Sequence, residues 1–149
     1  MVRFAIAVAL VLSASTASAQ ATDPANPPAG FELSQELRAQ GEVMVDEAGQ
    51  ALLDNLIDPA SARYRSVFIR TTIGRDQLPH LTICGQVNAK NAMGGYTGWT
   101  AFAYSGGAVG LLVGRGGIVG ADVVCQPGRG HWDATDYAAR VTEKAKLEE

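Results

Sequence analysis

The residues best suited to bind a ligand or to carry out acid–base chemistry lie close together in CGQVNAKNAMGGYTGWTAFAY, residues 84–104. The lysine in this stretch stands among side-chain amides that donate and accept hydrogen bonds, and two aromatic rings follow it. Such a set is typical of a small polar site for a carboxylate, a sugar or a peptide end, with the rings as flat apolar surfaces. The candidate ligand-binding residues are Asn88, Lys90, Asn91, Tyr96 and Trp99.

The same stretch also has the composition of a long connection between two strands. Gly94, Gly95 and Gly98 can adopt a positive φ without strain, and asparagine side chains bond the backbone of tight turns. In this interpretation the aromatic residues pack across neighbouring strands instead of facing a ligand. These aromatic residues are Tyr96, Trp99, Phe102 and Tyr104. The sequence leaves both interpretations open.

The motifs give less support to catalysis. The only imidazoles, His80 and His131, stand far apart in sequence, and no His-x-x-x-His or paired-cysteine metal motif is present. No Gly-x-Ser-x-Gly elbow occurs, and the glycine-rich residues 110–120 lack the Gly-Lys-Ser/Thr end of a phosphate-binding loop. We therefore predict no metal ion and no cofactor, and no catalytic residue is identified. If the chain is an enzyme, Lys90 or His131 is the candidate acid–base residue.

The chain has two cysteines, Cys84 and Cys125. In an oxidising compartment two cysteines form a disulfide by default, and closing a loop of this length stabilises a fold by roughly 4 kcal/mol in the chain-entropy model. A nucleophilic thiol is disfavoured, because it needs a nearby base and only two imidazoles exist. We therefore predict a disulfide between Cys84 and Cys125.

The N-terminus has the three parts of a secretory signal peptide. Arg3 precedes an apolar core, residues 4–12, that is too short to span a bilayer comfortably, and small residues then flank a cleavage site before Gln20. We therefore expect a periplasmic or secreted protein with no transmembrane segment in its mature chain. The predicted organisation is a signal peptide at 1–19, a disordered tether at 20–30 and a single domain at 31–149.

The charge balance limits the classes of partner. The chain has 12 basic and 15 acidic side chains, and cleavage of the signal peptide would remove Arg3 as well. A nucleic-acid partner requires a clustered basic surface, and a membrane-surface patch requires several adjacent basic residues. We therefore expect no nucleic-acid partner, and either an envelope protein or a small ligand.

Periodicity predicts the elements that position these residues. An apolar stripe from Leu33 to Ile57 recurs at helical spacing and contains Gly41 and Gly49, where the helix can kink. Asp133 is a good N-cap for a second, short helix. Predicted strands cover residues 64–73, 81–90, 99–105, 108–114 and 117–125. The predicted fold class is α+β: an N-terminal amphipathic helix, a mainly antiparallel sheet of about four or five strands and a short C-terminal helix.

Two segments carry a resemblance to other proteins. DPASARYR, residues 58–65, and CGQVNAKNAMGGYTGW, residues 84–99, match a combined motif in which CG-x-VNAKN-x-x-GGY-x-G follows DP-x-SA-x-(aromatic)-R. In this respect the chain resembles a group of uncharacterised small exported proteins of Gram-negative bacteria. The resemblance implies kinship and an envelope location, and it implies no activity.

Three hypotheses about function remain from these observations. The favoured one is a non-enzymatic envelope module that binds a ligand or a protein with residues 88–99. The second is a small envelope hydrolase or transferase with Lys90 or His131 as acid–base residue. The third is an inhibitor or immunity protein against an envelope-targeting enzyme, which the small size, the disulfide and the acidity permit but do not select.

Overall fold

The structure is a computed structural model that describes residues 32–106, 110–114 and 120–147. The predicted signal peptide at 1–19 and tether at 20–30 lie outside the described residues. None of the helices in these ranges combines the length and the apolar character that a membrane span requires. The elements, in chain order, are α1 (Gln35–Asn55), β1 (Asp58–Ile73), β2 (Pro79–Lys90), β3 (Thr100–Tyr104), β4 (Leu111–Val113), α2 (Ala121–Val124), β5 (His131–Trp132) and α3 (Ala138–Leu147).

The five strands form one sheet in the order β4-β3-β2-β1-β5, and every neighbouring pair is antiparallel. The long central pair, β1 and β2, contains two register irregularities, one between Asp58 and Arg63 and one between Arg65 and Phe68. Ser66, in the second irregularity, has the left-handed φ of 53° that a β-bulge can impose on one residue. The arrangement of helices and antiparallel strands confirms the predicted α+β class.

Helix α1 is a single helix that spans the two glycines where the sequence allowed a kink. The Ser34 side chain caps its start by accepting a hydrogen bond from Leu37 N at 3.2 Å. Gly41 and Gly49 lie on its buried side, and a Cβ on Gly41 would lie only 2.6 Å from Ile69 Cδ1. This glycine therefore permits a close approach of helix and sheet. The predicted apolar stripe extended to Ile57, but the helix ends at Asn55 and Ile57 is 72% exposed.

Two other predicted elements differ from the structure. The C-terminal helix begins at Ala138, not beside Asp133, and Asp136 Oδ1 accepts a hydrogen bond from Ala138 N at 2.9 Å. Asp133 is instead buried, where it pairs with Arg38 at 3.0 Å. The prediction of a strand at 117–125 was wrong for residues 121–124, because Ala121–Val124 is a short helix.

The sheet has two faces with different coverings. Helices α1 and α3 pack on one, here called the helix face, and enclose a mainly apolar core. On β2 the side chains alternate between the two faces, so that Ile83, Val87 and Ala89 are buried on this face. A Cβ on Gly85 would meet the Phe102 ring at 2.6 Å, so this position must also be glycine for close packing. The opposite face, here called the open face, carries Cys84, Gln86, Asn88 and Lys90 of β2.

Candidate functional site

The predicted disulfide is confirmed and lies on the open face. Cys84 of β2 is joined to Cys125, at the end of α2, with the two Cα atoms 5.7 Å apart. No cysteine is left free. The bond attaches α2 and the chain that follows it to the sheet. Both cysteines line the cavity on this face that is described below.

The connection at residues 91–99 is shaped by the two asparagines. Asn91 Oδ1 accepts hydrogen bonds from the backbone N–H groups of Met93 at 3.0 Å and Gly95 at 3.1 Å. Asn88 Oδ1 accepts one from Gly98 N at 3.1 Å. Gly98 has a φ of 88°, which favours glycine. The structural interpretation therefore accounts for both asparagine carbonyls, and their role toward a ligand stays a prediction.

The aromatic residues of this stretch divide between the two faces. Phe102 is fully buried on the helix face, and the Tyr104 hydroxyl donates to Glu47 of α1 at 3.0 Å. Tyr96 and Trp99 lie on the open face and are partly exposed. Phe102 packs against Gly85 of the neighbouring strand, and Trp99 contacts Arg65 of β1, so these two rings lie across other strands as the turn interpretation expected.

Basic residues stack on the two exposed rings. The Arg63 guanidinium carbon lies 4.8 Å from the centroid of the Tyr96 ring, and Lys90 Nζ lies 5.7 Å from the same centroid. The Arg65 guanidinium carbon lies 4.0 Å from the Trp99 centroid. Cation–π contacts of this kind hold the cations in place over the rings. We call this surface the cation–aromatic ridge; its residues are Arg63, Arg65, Lys90, Tyr96 and Trp99.

Arg63 and Arg65 were missed by the sequence analysis. Both lie on β1, where Arg63 is opposite Asn88 and Arg65 is opposite Gln86. Their spacing of two residues within the DPASARYR segment is the one available signal, since residues i and i+2 of a strand share a face. The pairing of β1 with β2 was needed to bring them beside Lys90.

The ridge cations have no acidic partner of their own. Among residues 32–106, 110–114 and 120–147, no carboxylate lies within 4 Å of a nitrogen of Arg63, Arg65 or Lys90. Elsewhere Arg38 and Arg140 are paired, with Asp133 and with the carboxylates of α1. The ridge is therefore a positively charged surface in a chain whose formal net charge is −3.

A cavity of about 660 Å³ lies beside the ridge on the open face. Gln86 belongs to both features, because it lines the cavity and its Oε1 accepts a hydrogen bond from Arg65 Nε at 2.7 Å. The bulge after Arg65 turns Phe68 toward the same face, opposite Cys84. Most of the lining is apolar; it consists of Ser66, Phe68, Cys84, Gly85, Gln86, Ala101, Cys125, Pro127, Gly128, Trp132, Asp133 and Ala134.

A buried cation stands behind one wall of this cavity. Arg70 is almost fully buried, and its guanidinium carbon lies 5.9 Å from the ring centroid of Trp132, which lines the cavity. Burial lowers the pKa of Arg70 from its usual value, and the nearby Arg129 lowers it further. Its Nε donates to Arg129 O at 2.8 Å, and no described carboxylate forms an ion pair with it. By contrast, the Asp133 carboxylate in the cavity wall is matched by Arg38.

The two candidate acid–base residues lie in different surroundings. Lys90 is half-buried, and within the described ranges its Nζ forms no hydrogen bond to a carboxylate or hydroxyl. His131 of β5 lies opposite Thr71 of β1 and is not among the residues that line the cavity. The carboxylate two residues further along, Asp133, accepts hydrogen bonds from Arg38 and from the Tyr137 hydroxyl. In the part of the chain that the structure describes, no cluster of three metal-ligating side chains occurs.

Comparison with known proteins found no relative from which a function could be inferred. No family model matches the chain, and no curated protein and no solved structure matches it. The resemblance of residues 58–65 and 84–99 to small exported proteins therefore stays a prediction. The structure adds that these two segments pair as β1 and β2 and together supply all five residues of the ridge.

Proposed function

We propose that this chain is an exported, non-enzymatic binding module that recognises an anionic ligand or partner through the cation–aromatic ridge. The observation that carries the proposal is the absence, among the described residues, of any carboxylate paired with Arg63, Arg65 or Lys90. Three cations gathered on one face repel one another, and an external anion would relieve that repulsion. An anionic group is thus the chemistry that this surface complements.

The rings improve the ridge as an anion site. A guanidinium free in solvent loses side-chain entropy when it binds, whereas Arg65 is already held between the Trp99 ring and Gln86 Oε1. Its Nε is used by Gln86, and its terminal nitrogens form no hydrogen bond with the described residues. Arginine terminal nitrogens bind a carboxylate or phosphate with two parallel hydrogen bonds. Arg65 is therefore the central residue of the proposed site.

The exported location is part of the same proposal. Residues 1–19 have the pattern of a signal peptide. The intramolecular disulfide is compatible with an oxidising compartment such as the periplasm. The resemblance to exported proteins supports the same location. The binding partner would then be a component of the envelope or a small molecule that enters it.

A capture experiment tests the proposed function. The full chain is expressed with its own N-terminus, purified from the periplasm, immobilised and exposed to an envelope extract of Gram-negative cells. The triple variant Arg63→Gln, Arg65→Gln, Lys90→Gln removes the three charges and keeps the strand residues polar. Arg75→Gln, on the exposed loop between β1 and β2, is the matched control. Proteins, lipids and small molecules eluted by salt are identified by mass spectrometry.

We expect the parent protein and the Arg75→Gln control to retain the same material. The triple variant should lose it by about tenfold or more, because each charge-assisted hydrogen bond contributes about 1.5–3 kcal/mol. Circular dichroism must show equal folding of all three proteins. Equal retention by the triple variant, or no retained material on the parent protein, would overturn the proposal.

A further inference from the structure

The apolar cavity and the ridge meet at a single residue. Gln86 lines the cavity and also holds Arg65, whose guanidinium lies over Trp99. A molecule whose charged end contacts Arg65 therefore has the cavity directly beside it. Binding of an anion to the ridge does not by itself require an apolar cavity beside it.

We infer that the open face binds an amphipathic carboxylate of the fatty-acid class, with its carboxylate at Arg65 and its hydrocarbon chain in the cavity. The inference rests on the proposed function, since it assigns the ligand class of the same cationic surface. It goes further by giving the ligand an apolar part and by assigning that part to the space between the disulfide, Phe68 and Trp132.

The cavity has the size and lining of a small-molecule site. Its volume of about 660 Å³ lies within the range of about 300–1,000 Å³ that is usual for ligand pockets. The lining includes Phe68, Trp132, the two cysteines of the disulfide and several small apolar residues. An alkyl chain in this space would remove apolar surface from water on both molecules. Sugars and short acids lack the apolar surface that such a lining complements.

The charges around the cavity favour an anionic over a cationic amphiphile. Arg65 donates a hydrogen bond to Gln86 of the lining, and the buried Arg70 lies behind Trp132 with no ion-pair partner among the described residues. The one carboxylate in the lining, Asp133, is neutralised by Arg38 at 3.0 Å. The unpaired charges nearest the cavity are therefore those of Arg65 and Arg70, and a buried charge is less screened than one on the open surface.

The first measurement is a titration of the full chain with monomeric dodecanoate, followed by tryptophan fluorescence. The chain has two tryptophans, Trp99 on the ridge and Trp132 in the cavity, so both report on the proposed site. From octanoate to decanoate to dodecanoate we expect the affinity to rise about fourfold per methylene. Dodecyltrimethylammonium should bind at least about tenfold more weakly than dodecanoate, because its charge is reversed. An affinity independent of chain length, or equal for the two head groups, would overturn the inference.

Two cavity-filling variants locate the hydrocarbon chain. Ala101→Phe places a ring in the cavity from β3, and Ala134→Phe does so from an exposed position that does not affect the core. Each should weaken dodecanoate binding by about tenfold or more, since the alkyl chain loses its space. Arg75→Gln is again the control and should bind as the parent does. Unchanged dodecanoate binding by Ala134→Phe, in a protein that melts as the parent does, would overturn the inference.

The same variants separate this inference from the proposed function. If the cavity-filling variants keep dodecanoate affinity while the triple ridge variant loses its captured material, the proposed function stands and the fatty-acid ligand is rejected. If the triple ridge variant keeps its captured material, the proposed function itself fails. Sedimentation with phosphatidylglycerol vesicles, without saturable binding of dodecanoate, would replace a free amphiphile by a membrane surface and so reject the inference.

Discussion

The helix face and the open face belong to the same strands but differ in what covers them. On the helix face, α1 and α3 exclude water from side chains such as Val67, Ile69 and Ile83, which are fully buried. On the open face, the neighbouring positions of the same strands carry Arg65, Gln86 and Lys90, which stay partly in contact with solvent. Because side chains of a strand alternate, one pair of strands can supply stability on one face and recognition on the other.

The two faces also differ in charge. Helix α1 alone carries five acidic residues and one basic residue, and the cations of the ridge lie on the other side of the sheet. The formal net charge of −3 is therefore an average over two unlike surfaces. A net charge describes the behaviour of the whole molecule at a distance, whereas binding depends on the local potential. The proposed anion site is therefore compatible with the acidic net charge of the chain.

The disulfide is the exception to this division, because it lies on the open face and we expect it to contribute stability. Replacing both Cys84 and Cys125 by alanine should lower the free energy of unfolding by about 4 kcal/mol, since the unfolded chain gains the entropy of an open loop. Urea unfolding of parent and variant, followed by circular dichroism, measures this difference. A loss below about 1 kcal/mol would show that the attachment of α2 contributes little to stability.

Much of this fold was predictable because its signals are local. The strand predicted at 81–90, the pairing of the two cysteines and the helix around Val45 and Leu52 were all confirmed. Each depends on the period of a strand, on the period of a helix, or on a count of cysteines. The start of α3 was missed because the cap-like Asp133 forms a long-range ion pair with Arg38. Tertiary contacts therefore took precedence over a local capping signal.

Less of the candidate site was predictable. The sequence singled out the stretch around Lys90 as a candidate, but Arg63 and Arg65 depend on the register of β1 against β2, which contains two irregularities. The bulge after Arg65 also places Phe68 on the same face at an odd spacing, which simple alternation would exclude. The cavity requires the disulfide, both strands and the segment around Trp132 at once. No local period encodes such an assembly.

Tyr64 is an ionisable group in the core of the helix face, so its titration tests how well that face excludes water. Its side chain is 8% exposed, its hydroxyl has no hydrogen-bond partner among the described residues, and burial raises the pKa of Tyr64 to about 12. In the unfolded chain this phenol ionises near pH 10. The contribution of neutral Tyr64 to the free energy of unfolding is therefore fully present below pH 10 and is lost as the pH rises toward 12. Tyr64→Phe should remove about 2 kcal/mol of that alkaline loss.

Urea unfolding at pH 9 and pH 11.5 checks this prediction. At pH 9 we expect Tyr64→Phe to be as stable as the parent or slightly more so, because it removes a buried hydroxyl that lacks a partner. Tyr104 and Tyr137 also have raised pKa values, mainly because of desolvation, and both contribute to the loss of stability at alkaline pH. The effect of Tyr64 is therefore the difference between the alkaline losses of the parent and of Tyr64→Phe. Tyr96→Phe on the open face is the matched control. An equal alkaline loss in parent and Tyr64→Phe would contradict the assigned burial.

The smallest effect is expected where the helix face meets solvent. Arg140 of α3 binds Asp46 of α1 through two hydrogen bonds of 2.8 Å and Glu42 through one of 3.1 Å. The hydrogen bond from Arg140 lowers the pKa of Asp46, partly offset by desolvation. The pair therefore stabilises the fold above the ordinary pKa of Asp46, and this contribution is lost as the pH falls through the lowered value. Both side chains are more than a third exposed, so solvent screens the interaction.

Arg140→Gln should therefore cost less than about 1 kcal/mol at pH 7, and less still in high salt. Urea unfolding at pH 7 and pH 3, in low and high salt, should show a smaller acid-induced loss in the variant than in the parent. A loss of several kcal/mol would mean that the pair behaves as a buried one. The same variant should bind dodecanoate as the parent does, because α1 and α3 lie across the sheet from Arg65. Weaker binding by Arg140→Gln would show that the two faces are coupled, and stability and recognition would then not be separable in this fold.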